Sequence, residues 1–236
     1  MKSSEAFLLR KIEYGEADYI VSLFTRDFGK IRGIAKNAKK SRRRFGGRLE
    51  PFVHLRIRFR EKPGGMRFIE DVETIRAFSG LIMKDVEPFM WGSFILENVD
   101  VLLPEEEPNG DIFELLVHTL SALDSGKSPI PSTLGFQLSL LSLSGYKPNL
   151  YSCVRCGKPI EGGFFSIEKG GLFCNECKGD RANGSLVSSK DLITNQDPIE
   201  ANVEAALEYI RLLFKFTEYH TGKEIKSYKL LEELRK

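Results

Sequence analysis

Four cysteines carry the most specific chemistry in this chain. Cys153-x2-Cys156 and Cys174-x2-Cys177 stand seventeen residues apart. Each Cys-x2-Cys pair can turn both sulfurs towards one point, and the interval between the pairs suits a hairpin that closes a tetrahedral Zn²⁺ site. Gly157, Gly162, Gly163, Gly170, Gly171 and Gly179 supply tight turns, and Phe164, Phe165, Leu172 and Phe173 cover the ribbon. Four thiolates leave no open coordination position, so the expectation is one structural zinc per chain and not a Lewis acid. Unrelated buried cysteines or a redox pair are the alternatives.

The second constellation is cationic. Residues 26–62 hold fourteen Lys and Arg against Asp27, Glu50 and Glu61, a balance of +11 in a chain whose total is +2. Everything outside the segment therefore sums to −9, and a concentrated positive field of this kind attracts polyanions, a phosphate backbone above all. From Pro51 to Arg60, Val53, Leu55, Ile57 and Phe59 alternate with Phe52, His54, Arg56, Arg58 and Arg60. Period two places the first set on one strand face and three arginines in a row on the other. The expected DNA-binding set is Lys30, Arg32, Arg56, Arg58 and Arg60 on strands, with Lys36, Lys39, Lys40, Arg42, Arg43, Arg44 and Arg48 in the connecting loop. Phe45 either stacks on a base or anchors that loop. The bland alternative is a solvated charge run.

Catalysis has weaker support. His54, His118 and His220 are scattered, with His118 in an amphipathic stretch and His220 near a helix C-terminus, where a cation is favourable. Glu105, Glu106 and Glu107 stand between prolines and read as a solvated loop before a divalent-ion site, while Glu70, Asp71 and Glu73 read as a strand end. No phosphate loop and no nucleophile–base pair stand out, so the expectation is a non-enzymatic binding protein. A structure-specific nuclease or glycosylase, and an RNA-binding barrel, are the rival functions.

The elements that must position these residues give an α+β chain. Residues 5–12, 19–25, 29–35, 52–60 and 66–75 read as strands, with a hairpin turn at Pro63, Gly64 and Gly65 and with Met66, Phe68 and Val72 facing the core. Five strands in so short a span suggest an oligonucleotide/oligosaccharide-binding (OB) barrel, with an SH3-like barrel as structural rival. Helical period follows through Phe89, Trp91, Phe94, Ile95, Val99 and Leu102, then from a capping-box-like start at Asp111 and Glu114, then in an apolar helix over 134–143. After the cysteines, Asp197, Pro198 and Glu200 mark another helix start, followed by a stripe through Val203, Ala206, Leu207, Ile210, Leu213 and Phe214 to Gly222, and a last helix with Ile225, Tyr228, Leu231 and Leu234. The organisation expected is a barrel over 1–79, a helical body over 80–150 and 180–236, and an inserted four-cysteine zinc ribbon over 151–179. Arg181, Asn183 and Gly184 mark the expected flexible link.

Composition agrees with a globular domain at 42% hydrophobic and 29% charged residues. The most apolar run, 89–103, is interrupted by Glu97 and Asp100 and is too short to span a bilayer, and residues 1–10 lack the pattern of a secretory signal. No membrane partner and no small-molecule substrate are expected, and residence is expected in the cytoplasm, with the nucleoid.

Three segments together resemble a known family: Gly15-Glu16-Ala17-Asp18, the run from Leu23 to Lys30, and Arg44-Phe45-Gly46-Gly47-Arg48-Leu49-Glu50-Pro51-Phe52. With the paired cysteine motifs and the ending around Lys226 and Ser227, they resemble the RecO family of bacterial recombinational-repair mediators, over essentially the whole chain. Tyr19 and Asn37 depart from the family pattern that the resemblance implies, in which a basic residue and a glycine, respectively, are frequent. The resemblance implies an N-terminal OB domain, a helical body and a zinc ribbon. It also implies binding of single- and double-stranded DNA, annealing of complementary strands, and work with RecR that helps RecA displace single-stranded-DNA-binding protein.

Overall fold

The structure, a computed structural model, describes residues 1–62, 66–83, 85–178, 186–188 and 203–234. They fall into two compact units, Met1–Gly126 and Lys127–Lys236.

In the first unit, β1 (Lys2–Tyr14), β2 (Asp18–Thr25), β3 (Gly29–Ala35), β4 (Val53–Glu61) and β5 (Arg67–Ala77) close a barrel in the order β1-β2-β3-β5-β4. β1 pairs antiparallel with both β2 and β4, and β3 meets β5 in parallel at Ile34–Phe68 and Ala35–Ile69. That closure is the Greek-key pairing of an OB barrel, so the SH3-like rival falls away. Period-two alternation turns Ala6, Leu8, Val21, Leu23, Ile31, Leu55, Ile57 and Phe59 inward, all of them buried.

β5 departs from simple alternation. Val72 is buried as expected, but its core companion is Ile69, whereas Met66 is half exposed and Phe68 only partly covered. Arg58 pairs with Asp71 while Phe59 pairs with Ile69, which leaves Glu70 unmatched. One unmatched residue inverts the inside–outside phase, so Ile69 and Val72 face inward although they are three apart. The expected turn at Pro63, Gly64 and Gly65 lies outside the described residues.

The helices α1 (Ser79–Met83), α2 (Val86–Leu102) and α3 (Gly110–Asp124) belong to the same compact unit as the barrel. The change to helical period near residue 79 thus marks a change of element type, and the unit continues to Gly126. Phe113 of α3 lies with its ring 5.4–5.6 Å from those of Phe7, Phe24 and His54 on the outer barrel wall. Stacked on Phe7, His54 is buried, and desolvation holds its imidazole below the ordinary value in spite of the Glu5 carboxylate 2.9 Å away. On α2, a Cβ at Gly92 would stand 2.7 Å from the Phe52 ring, so glycine lets that ring lie against the helix backbone. α3 is capped earlier than the expected Asp111: Asn109 is the cap, its side chain accepting from the Ile112 N–H at 3.0 Å.

In the second unit, α4 (Pro129–Leu143) starts five residues earlier than its apolar run suggested. Pro129 and Pro131 sit in its first turn, where no intrahelical N–H is needed. Gly145, at φ +80°, ends it in a Schellman arrangement, with Tyr146 N–H donating to Leu141 O and Gly145 N–H to Ser142 O. β6 (Gly162–Ser166), β7 (Gly171–Phe173) and β8 (Leu186–Ser188) make a three-stranded ribbon in the order β7-β6-β8. α5 (Val203–Thr221) buries Ala206, Ile210, Leu213, Phe214 and Phe216, and α6 (Lys226–Leu234) buries Tyr228 and Leu231. Phe165 of the ribbon meets Phe216 edge-on at 6.0 Å, and the His220 ring N–H donates to Ile167 O at 2.9 Å, which ties ribbon to α5. The start expected at Asp197, Pro198, Ile199 and Glu200 and the link at Arg181, Asn183 and Gly184 lie outside the described residues, as does Gly179.

Phe113→Ala removes the ring that joins the barrel wall to α3. It is expected to cost about 3–5 kcal/mol, measured as a lowered denaturant midpoint; a change under about 1 kcal/mol would mean that the helices do not brace the barrel.

Candidate nucleic-acid interface and metal centre

The connection from β3 to β4, residues 36–52, is polar and cationic yet closely built. Asn37 takes φ +57°, a left-handed position that Asn and Gly fill most readily, and its N–H donates to Asp18 Oδ1. Ser41 N–H donates to Asn37 O, Gly46 N–H to Ser41 O, and Val72 N–H of β5 to Arg44 O at 3.1 Å. A Cβ at Gly46 (φ +47°) would lie 2.7 Å from Arg42 O, so that turn needs glycine. Phe45 is 1% exposed and joins Ala38 and Leu49 in the barrel core. Of its two expected roles it fills the anchoring one: a ring so enclosed has no face to offer a base.

The strand cations are matched by acids. Cross-strand pairing sets Arg56 opposite Glu73 and Arg58 opposite Asp71. Arg58 Nη2 binds Asp71 and lies 3.9 Å from Glu73, Arg60 binds Glu70 at 2.5 Å, and Arg56 lies 3.9 Å from Glu5. Arg32 pairs with Glu105 at 2.7 Å and Lys39 with Glu13 at 2.8 Å, an ammonium contact that lowers the Glu13 carboxyl. Lys30 leaves the expected surface altogether. It is 4% exposed and donates to Asp100 O, with Asp100 Oδ1 3.5 Å away. Burying an ammonium requires such partners, which removes it from solvent and from any phosphate. By contrast Lys36, Lys40, Arg42, Arg43, Arg44 and Arg48 have no acidic partner among the described residues. Arg44 donates to Lys36 O at 2.8 Å and Arg48 to Arg43 O at 3.3 Å, so both help to hold the loop's shape.

The acidic stretch at Glu105, Glu106 and Glu107 is docked and not merely solvated. Glu105 bridges to Lys30 in parallel, Glu106 N–H donates to Lys30 O, and Glu106 pairs with Arg67 at 2.8 Å. A Cβ at Gly29 (φ +65°) would come within 2.3 Å of Glu107 O, so glycine is what permits this approach. Sequence reading missed Glu70, Asp71 and Glu73 as partners of the arginine row, because their side depends on the bulge. A groove of about 940 Å³ runs between the loop and β5, with Arg43, Arg44 and Arg48 on one wall and Arg58, Asp71 and Glu73 on the other.

The cysteines converge in the second unit. The Sγ atoms of Cys153, Cys156, Cys174 and Cys177 all lie within 4.8 Å of one another, and Cys156 and Cys174 are 3.9 Å apart. Four sulfurs at about 2.3 Å from a Zn²⁺ would stand about 3.8 Å from each other, so the set fits a tetrahedral ion. Backbone turns aim them: Gly157 N–H donates to Cys153 O, and the N–H groups of Cys177 and Lys178 both reach Cys174 O. Burial would raise the Cys153 thiol, yet hydrogen bonds from the backbone of Cys174, Cys156 and Arg155 bring it down to about 6. Cys177 is pushed up to about 12, first by hydrogen bonding with Cys174 and then by burial. Such crowded sulfurs do not all ionise together without a cation among them. Lys158 and Glu176, paired at 2.9 Å, join the two cysteine turns from outside. Among the described residues this is the one group of three or more Cys, His or acidic side chains placed to hold a metal ion.

His118 is exposed on α3. Among the described residues, no helix is long and apolar enough to cross a membrane.

Comparison with known proteins agrees with this architecture. Residues 1–78 match the family described as Recombination protein O N terminal, and residues 83–229 match Recombination protein O C terminal. Similar proteins include three named DNA repair protein RecO. That of Anaeromyxobacter sp. (strain Fw109-5) is 34% identical, over 96% of this chain and 94% of its own length. That of Bifidobacterium adolescentis is 33% identical over 97% and 98%, and that of Koribacter versatilis 33% over 99% of each. Family matches over residues 1–78 and 83–229, and relatives that align with 96–99% of the chain, together with an OB-type barrel, helices and a four-cysteine cluster, mean that the chain belongs to the RecO family.

Proposed function

We propose that the chain is a DNA-binding recombination mediator in DNA repair that acts without enzymatic turnover. It holds single- and double-stranded DNA, lets complementary strands anneal, and works with RecR to help RecA displace single-stranded-DNA-binding protein. Its relatives are named for DNA repair, and the partners follow from the family resemblance. The observation that carries the DNA-binding part is the loop: Lys36, Lys40, Arg42, Arg43, Arg44 and Arg48 lie on an anchored backbone and have no acidic partner among the described residues. Guanidinium and ammonium groups so placed bind phosphate through charge-assisted hydrogen bonds and read no base. The arginine row at 56, 58 and 60 is the secondary surface, since acids already engage it.

The metal is zinc in this reading. Four thiolates at tetrahedral spacing suit Zn²⁺, and it would brace the ribbon without touching substrate. Cys153, Cys156, Cys174 and Cys177 would hold it, with the Lys158–Glu176 pair beside them.

With six phosphates neutralised, log K should fall with log salt at a slope of about −4 on single strands and about −5 on duplex. The triple variant Lys40→Glu, Arg42→Glu, Arg43→Glu should weaken binding alike on unrelated sequences, because phosphate contacts carry no base information, and should leave the loop's shape to Arg44 and Arg48. Fluorescence anisotropy across a salt series measures both; a flat series places the DNA surface elsewhere.

Annealing should proceed without nucleotide, since it would run on binding energy alone, and the same triple variant should slow it. Quenching of a paired dye on complementary oligonucleotides follows the reaction. Cleaved strands in Mg²⁺ or dependence on ATP would favour the enzyme alternative, and preference for RNA of matched sequence would favour the RNA-binding one.

Protein purified without chelator should contain about one zinc per chain by elemental analysis. Thiolate–zinc ligation contributes about 10–16 kcal/mol to folding in isolated finger peptides, so Cys174→Ser should lose the metal and open the ribbon to protease. The Met1–Gly126 unit should stay folded. Absence of zinc from freshly purified protein would refute the assignment.

A further inference from the structure

The groove beside the cationic loop has walls of opposite character. Arg43, Arg44 and Arg48 line the loop side, and Arg58 faces them from β4 with Asp71 and Glu73 of β5 upon it. Arg58 is 49% exposed and Glu73 59%, so the guanidinium is reachable and its pairing with Glu73, at 3.9 Å, is loose. Exposed pairs such as Arg58–Glu73 contribute little, while Asp71, less exposed, is the carboxylate in direct contact with the guanidinium. A strand laid along the loop cations would bring its phosphates to the same guanidinium.

We propose that Asp71 and Glu73 are internal occupants of a phosphate site in this groove, and that a single strand binds there by replacing their carboxylates on Arg58 with a phosphodiester. The proposal rests on the DNA-binding reading and deepens it. Exchange of one anion for another leaves little net gain at Arg58, so the groove holds a strand without trapping it. The two acids thereby set the residence time of the strand, which matters to a protein whose product is a paired duplex that must leave.

The test compares wild type with the double variant Asp71→Asn, Glu73→Gln, using a fluorescent oligo(dT) in a salt series. The amides keep the shape and remove the charge. The variant should bind about three- to tenfold more tightly at low salt, its log–log salt slope should steepen by about 0.7, and the bound strand should exchange more slowly with unlabelled competitor. Adding Arg58→Ala to the double variant should return the affinity towards wild type. A gain that survives loss of Arg58 is a general charge effect and overturns the site, and so does a folded double variant that binds no more tightly than wild type. If the double variant does not fold, Glu73→Gln alone decides, since its exposed carboxylate supports no packing; no gain from it overturns the proposal. The loop variant Lys40→Glu, Arg42→Glu, Arg43→Glu separates the two ideas. Loss of binding there without a gain in the acid variant defeats this inference alone, whereas unchanged binding there defeats the DNA-binding reading itself.

Discussion

Burial of Phe45 is the interaction on which the candidate interface depends. Residues 36–48 carry seven cations and no acid, and in water two unit charges 4 Å apart repel by about 1 kcal/mol. Left to itself such a segment would spread into solvent. Phe45, with Ala38 and Leu49, ties it into the barrel instead, and a buried Phe side chain is worth about 1.5–3 kcal/mol. At the other end of the Phe45-to-Phe52 block, Phe52 takes the strained φ of +60° and packs against Gly92 of α2, so one phenylalanine holds the block to the barrel core and the other to a helix. The hydrogen bond from Val72 N–H to Arg44 O then sets the loop beside β5. The charges are held close because the apolar residues between them are held closer.

The barrel divides its cations into two populations. Most of those on strands meet carboxylates from the neighbouring strand, from α2 or α3, or from the docked acidic stretch, while most of those in the loop meet none among the described residues. OB barrels commonly use the face of strands two and three for ligands. Here Phe24 of that face lies under Phe113, Lys30 is buried on Asp100, and Arg32 is engaged by Glu105. The helices that complete the first unit thus cover part of the surface most barrels of this type leave open, and the unmatched charge is displaced to the connection between β3 and β4.

The cysteine ribbon follows a different logic. Its strands are three to five residues long, too short to fold on ladder hydrogen bonds. Its order comes from the four sulfurs, from glycines such as Gly163, whose Cβ would meet Phe173 O at 2.3 Å, and from Phe165 packed on Phe216. All four candidate ligands are cysteines in two short turns, and an ion held by four thiolates would keep no position for a reacting group.

Much of this was legible in the residues themselves. Strand-forming residues between turn signals placed the five strands, β3 to the residue, and period two gave the outward face of β4, because both are local properties of the chain. The two Cys-x2-Cys turns likewise predicted a converging site, since each needs only its own backbone. Asn37 takes a left-handed φ of +57°, a conformation that Asn and Gly adopt most readily. What only the tertiary structure decided was charge pairing and depth. The outward face of β4 was readable, but whether Arg58 stood alone or opposite Asp71 depended on a single unmatched residue, Glu70, in the partner strand. Lys30 looked like a surface cation and lies buried because Asp100, seventy residues away, reaches it. Phe45 looked equally suited to a base or to the core, and the barrel core took it. Electrostatic partners and burial are set by which distant segments meet, and strand register and helix docking exist only once the chain has closed on itself.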